Sequence, residues 1–277
     1  MVALPPANLK SRTLINGAEP MLTPIRCAAT FAVLVSLLEL AEPVARGVDP
    51  PATREADCRW TEHAPKIDGK LDDPAWKTAS VIDRFPSFWN QTESGPAHAT
   101  KARLLWDHDA LYFAAEMTDA DVRSFGAKHN DHLWNGDVFE LFFKPSRDRP
   151  EYYEFQANPK SVLFEASFLE RDRPVEPFET SRPLGMSAVA MTDGTPDHPG
   201  DADKGWTVEG KIPWTAFAPS NARPEPGATW SFALCRYDYF GPEKTEPVLM
   251  SSAPLTQRSF HRFEDYGRLR FQGPSGR

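Results

Sequence analysis

The chain has 277 residues, a net charge of -8 and a sequence pI near 5.4. That length holds one domain of roughly 200 residues plus a leader, or two small ones, and a domain of that size buries a core without staples. The acidic balance, with no basic stripe, excludes a nucleic-acid partner, because phosphate binding needs clustered Lys and Arg.

The first 20 residues read as an upstream extension or a mis-assigned start, because Met21 opens a leader of its own. Residues 21–45 carry Arg26 and then an apolar run of about 15 residues that Glu39 interrupts near its end, too short for a membrane span and suited to a secretory signal peptide. Cleavage is expected between Ala41 and Gly47; the alternative is an N-terminal anchor or a helix of the mature protein. Export to the periplasm or the medium follows, with no stable membrane span. Cys27 would leave with the leader, so Cys58 and Cys235 remain, either as one disulfide or as two buried thiols. Residues 46–56 are Pro-rich and polar and form a linker.

Strand patterns dominate after that. "KARLLWD" and "ALYFAAEM" predict a hairpin, Lys101–Trp106 and Ala110–Met117, with its turn at Asp107–Asp109. "DVFELFFK" predicts a strand over Asp137–Lys144. "EYYEFQANP" and "SVLFEASF" predict a second pair, joined at Asn158–Lys160. "WTVEGKIP" alternates strictly, with Trp206, Val208, Gly210 and Ile212 against Thr207, Glu209 and Lys211. "TWSFALCRYDYF" and "GRLRF" complete the series. The one short helical turn expected is "DDPAWKTA", with Asp at the cap and Pro at the first position. Short strands with Gly and Pro turns predict an all-β domain over 57–271, an antiparallel β-sandwich of jelly-roll or immunoglobulin-like layers with few short helices.

The chemistry concentrates in "HNDHLWNGDVFELFFKP", His129–Pro145. His129, Asp131 and His132 offer a partial metal-ligand set, but such residues are ordinary in a polar loop. Calcium needs loop oxygens, which Asp68, Asp72, Asp107 and Asp119 supply at turns. In the strand, Asp137, Phe139, Leu141 and Phe143 face one way, and Val138, Glu140, Phe142 and Lys144 the other. Glu140 therefore sits among apolar neighbours and must be paired, or else aim into a pocket. A Trp face at Trp134 beside a carboxylate suits a sugar, which offers C–H groups to the ring and hydroxyls to the acid. No Gly-x-Ser-x-Gly, His-Glu-x-x-His or phosphate-cradling glycine loop is present. Three functions stay open: a carbohydrate binder, a glycoside-acting enzyme using acids such as Asp137 and Glu140, and an extracellular assembly module with no small ligand.

Five segments in order resemble the family 9 carbohydrate-binding modules: "IDGKLDDPAW", "ARLLWDHDALYFAAEMTDADV", "LWNGDVFELFFKP", "GWTVEGKIPW" and "FHRFEDYGRLRF". The resemblance covers about residues 57–271. It implies a calcium-containing β-sandwich that binds mono-, oligo- or polysaccharide between two aromatic side chains without cutting it. It makes Trp134 one side of that clamp and Glu140 the acid. Phe260 stands where the family has a second Trp, Gln156 where it has a sugar-binding Arg, and Asn158 where it has an Asn. Such modules usually ride on a catalytic domain, so a separate carbohydrate-active enzyme is the expected partner. Neither nucleotide nor haem is expected.

Overall fold

Side chains alternate across a strand with a period of two residues, and this alternation organises the described part of a computed structural model, residues 54–87, 89, 92–178, 181–198, 201–220, 223–241 and 246–274. The leader, Cys27 and most of the linker lie outside the described residues. In chain order the strands are β1 (Glu55–Trp60), β2 (Val81–Ile82), β3 (Pro86–Ser87), β4 (Thr92–Glu93), β5 (Thr100–Trp106), β6 (Ala110–Thr118), β7 (Val138–Lys144) and β8 (Tyr152–Ala157). They continue as β9 (Leu163–Glu170), β10 (Arg173–Pro174), β11 (Ser187–Asp193), β12 (Gly205–Pro213), β13 (Thr229–Asp238), β14 (Val248–Ser251) and β15 (Gly267–Gln272). The described helices are short 3-10 turns. The expected turn at "DDPAWKTA" is one of them: Asp73 caps it, its carboxylate accepting from Ala75 N at 2.9 Å, with Pro74 in the first position.

The main path of the sheet runs β10-β9-β8-β7-β13-β15-β1-β5-β6-β12-β11. It departs from the purely antiparallel expectation at β1, which lies parallel to both β15 and β5. Both parallel pairings join strands far apart in the chain, which is what a parallel pair requires. Phe139, Leu141 and Phe143 of β7 share one core with Leu104 of β5, Phe113 of β6 and Val208 of β12. The sheet therefore curls until its two arms face each other across that core. The outer face of each arm is then covered separately, by a cluster around Trp76 on one and a cluster around Phe142 on the other.

The two cysteines show what this layering does to side chains. Cys58 points from β1 into the main core, and Cys235 points from β13 into the cluster around Phe142, on the opposite face of the sheet. Both are buried free thiols, so of the two readings the disulfide is not formed and the pair of buried thiols is the one observed. Cys235 Sγ instead lies 3.5 Å from Ser251 Oγ.

The "IDGKLDDPAW" segment covers the outer face of the β5-β6-β12 arm. Trp76 buries against Leu105, Tyr112 and Ala114, with Ile67 and Leu71 beside it. The alternation of β12 predicts Glu209 on the outward face, and so it lies, but the segment folds over it and leaves it 1% exposed. Its carboxylate accepts from Asp68 N (3.1 Å), Gly69 N (2.8 Å), Leu71 N (3.1 Å) and Trp76 Nε1 (2.7 Å). A side chain at Gly69 would be strained twice over, since its φ is +83° and a Cβ would meet Met191 Cγ at 2.7 Å.

Candidate functional site

The middle of the segment between β6 and β7 is held by its own polar residues. Asp131 accepts from Ala127 N (2.8 Å) and Lys128 N (2.9 Å). Asn130 takes Glu165 N at 2.8 Å, and His129 lies 3.4 Å from the Glu165 carboxylate. His132 stacks on Trp134, with ring centroids 4.5 Å apart. "HNDH" is thus a structural clamp onto β9. A turn at Leu133–Asn135 presents Trp134, and Gly136 lets the chain pass close by, because a Cβ there would meet Phe125 N at 2.6 Å.

Behind that turn, the outer face of β7 and β8 forms the floor of a cleft of about 330 Å³. Opposed residues of an antiparallel pair share a face, and here Glu140 opposes Gln156 while Phe142 opposes Glu154. All four line the cleft together with Trp134 and Phe260. Four of the five residues read as ligand-binding from the sequence (Trp134, Glu140, Gln156 and Phe260) are therefore brought together. Asn158 is not among the residues lining it. It is fully buried, its amide donating to Phe125 O (2.8 Å) and its carbonyl accepting from Lys160 N (3.0 Å) and Val162 N (2.8 Å). These bonds close the β8-β9 turn and occupy the Asn158 carbonyl oxygen. The sequence reading also missed Glu154 and His261, which line the same cleft. The alternation of "EYYEFQ" places Glu154 and Gln156 on one face, which is the signal that was available for Glu154.

The floor is electrostatically tense. Glu140 is 2% exposed and Glu154 is 4% exposed. Burial, then the neighbouring Glu154, holds the Glu140 carboxyl well above the ordinary carboxylate range. Burial raises Glu154 as well, while the charge of His261 and the amide of Gln156 pull it back. Gln156 Nε2 donates to Glu154, and Gln156 Oε1 is buried with no partner. The sign of the pH effect follows. A carboxyl raised in the folded state stabilises the fold while protonated, and that contribution disappears as pH climbs from the ordinary value near 4.5 through the raised one. Glu140→Gln is therefore expected to be more stable than the parent at pH 8, by about 1–3 kcal/mol, and to lose that advantage at pH 4. Urea denaturation at the two pH values checks this, and a variant weaker at both would refute it.

The four aspartates read as calcium ligands do not converge. Asp68 pairs with Lys66 (2.8 Å) and Lys70 (3.6 Å). Asp72 is exposed in the same loop. Asp107 closes its own hairpin, accepting from Asp109 N (2.7 Å), Ala110 N (3.0 Å) and Tyr112 Oη (2.8 Å). Only Asp119 joins an acidic cluster, and its companions are Asp137 and Asp238, each offering an oxygen within 4.8 Å of the others. Arg236, fully buried, bridges Asp119 (3.1 Å) and Asp238 (2.8 Å), and His98 reaches Asp238 at 2.9 Å. Burial, then neighbouring aspartates, pushes Asp119 up to about 6 and Asp137 up to about 9. Asp238 Oδ1 is buried without a partner. Three carboxylates, one of them with an orphaned oxygen, are the kind of donor that calcium takes.

Residues 67–274 match the family model described as "Carbohydrate family 9 binding domain-like". The chain belongs to that family. Family 9 modules also supply similar solved structures. One from Caldicellulosiruptor kristjanssonii, in complex with cellotriose, has a TM-score of 0.53 at 17% identity, over 80% of this chain and 95% of that one. A Bacteroides uniformis chain assigned to carbohydrate binding has a TM-score of 0.64 at 16% identity, over 80% of this chain and all of that one. At these identities the likeness is one of fold. Endo-1,4-beta-xylanase A of Thermoanaerobacterium saccharolyticum is 30% identical over 159 residues, which is 57% of this chain and 11% of the xylanase. The chain thus spans about a tenth of the length of that relative. No described helix is long and apolar enough to cross a membrane.

Proposed function

We infer that this family 9 domain is an exported, non-catalytic sugar binder whose ligand lies in the cleft between β7, β8 and Trp134. Trp134 and Phe260 supply ring faces, and Glu140 and Gln156 bond hydroxyls. The observation that carries this reading is the gathering of aromatic side chains and buried carboxyls in one open cleft on a family 9 fold. A polar floor of this kind disfavours an assembly module with no small ligand. The leader over residues 21–45 supports export, to the periplasm or the medium. A separate carbohydrate-active enzyme is the partner that suits such a module.

Titrating the chain with a panel of mono-, di- and polysaccharides while following Trp fluorescence tests the reading. A saturable change with one sugar class is expected, and a folded protein that answers to none would overturn it. One observation favours a second reading. Glu140 and Glu154 are two buried carboxyls in one cleft, the arrangement used to cleave glycosides. Release of reducing sugar from the same panel, abolished by Glu140→Gln, would establish an enzyme; the binder releases none, and the variant only weakens binding.

Calcium, when bound, would be held by Asp119, Asp137 and Asp238. It would neutralise the negative charge that Arg236 leaves uncompensated and tie the ends of β6 and β13 to the start of β7. At calcium concentrations about 100-fold above Kd, the melting temperature of chelator-stripped protein is expected to rise by about 5–10 °C. Differential scanning fluorimetry checks this, and Asp238→Asn should abolish the response. An unchanged Tm in millimolar calcium removes calcium from this cluster.

A further inference from the structure

The acceptors of the cleft outnumber its donors. Glu140, Glu154 and Asp172 all line it, and none of the described lining residues is Lys or Arg. Gln156 stands at the position where the family resemblance leads one to expect an Arg, and its Nε2 is already committed to Glu154. What Gln156 offers the cleft is Oε1, an acceptor on a side chain that is 0% exposed and has no partner. Among the described residues, nothing donates to the Glu140 carboxylate. His261 is the one ionisable base of the lining. Its Nδ1 is engaged by Tyr152 Oη at 2.9 Å, and its Nε2 stays 3.8 Å from Glu154 and 3.7 Å from Asp172, beyond hydrogen-bond length.

A neutral sugar answers this floor only in part. Its hydroxyls donate as well as accept, and the cleft offers their lone pairs the Trp134 indole and the hydroxyls of Tyr237 and Ser259 against three carboxyls and Gln156 Oε1. An ammonium group is the opposite: three donors, no acceptor and a positive charge. Glu140 and Glu154, both almost fully buried, would gain a counter-charge from it. The ring faces of the cleft would also attract a cation. We propose that the cleft recognises a sugar bearing a free amine, with the ammonium seated on Glu140, Glu154 and Gln156 Oε1. The proposal rests on the sugar-binding reading above and adds the ligand's class to it.

Calorimetric titration of the whole chain at pH 6 with three disaccharides tests it: β-1,4-linked glucosamine disaccharide, its N-acetylated counterpart, and cellobiose. The amine form is expected to bind at least tenfold tighter than either of the others. In Glu154→Gln, checked for folding by circular dichroism, that preference should shrink to threefold or less. Cellobiose or the acetylated sugar binding as tightly as the amine in the parent protein overturns the ammonium site and leaves the sugar cleft standing. Binding of none of the three overturns the ammonium site, and the sugar cleft is then decided by the fluorescence panel. The comparison among ligands needs only the parent protein, so it decides the matter even if the variant does not fold.

Discussion

Trp134→Ala is expected to weaken binding of the cleft's sugar ligand by about 100-fold or more, while the domain stays folded. A central aromatic anchor of a binding site is worth about 2–4 kcal/mol on truncation, and 100-fold corresponds to the lower part of that range. The fold should tolerate the change because Trp134 is half-buried in the outer cluster and takes no part in the main core. Its ring meets Phe164 edge-on at 5.4 Å and Phe178 at 6.1 Å, and stacks on His132. Losing those contacts should cost about 1–2 kcal/mol, less than removing a fully buried Trp. Affinity and thermal melting measured on one preparation separate the effects. A variant that binds as the parent does would show that Trp134 is only part of the outer cluster. A variant that fails to fold would show that the turn carrying it is essential to the domain.

Glu209→Ala should be the most damaging single change away from the cleft, with an expected loss of about 3–5 kcal/mol. The carboxylate satisfies three backbone N–H groups and the indole of Trp76, and its neighbourhood is apolar. Alanine leaves those donors buried and unpaired, at about 1–3 kcal/mol each before the loop relaxes. Glu209→Gln keeps Oε1 as an acceptor but turns an N–H toward Asp68 and Gly69, so it should fall between alanine and the parent. Urea denaturation of the three proteins gives the order. Equal midpoints would mean that residues 67–76 do not depend on Glu209 to hold to the sheet. Sugar affinity should survive in whatever fraction of Glu209→Ala folds, because β12 contributes no residue to the cleft.

Much of this domain could be read along the chain because a strand's faces follow from its own residues. The expected strand at Asp137–Lys144 is observed as Val138–Lys144, with Glu140 and Phe142 on the face predicted for them. The hairpin at Asp107–Asp109 forms as expected, since its Asp side chain closes the turn locally. The four residues that share the cleft were reached in two ways: alternation and the neighbouring Trp pointed to Glu140 and Trp134, and only the family motifs pointed to Gln156 and Phe260.

What the chain alone did not reveal depends on partners far away in sequence. Glu154 joins Glu140 only through the register between β7 and β8, and a slip of one residue would turn it to the other face. Cys58 and Cys235 both satisfy the composition of a disulfide, yet the sheet separates them, because β1 and β13 turn them to opposite faces. The acidic cluster draws Asp119 from beyond the end of β6, Asp137 from before β7 and Asp238 from the end of β13, so no spacing along the chain announces it. Asn158 has the residue type of a ligand and is consumed by its own turn. The sequence by itself determined the strands, their faces and the family, because these rest on local alternation and short motifs. The tertiary structure alone decided which acids share a cleft, which share a cluster and which hold a loop, because burial and charge neighbours exist only once distant strands have paired.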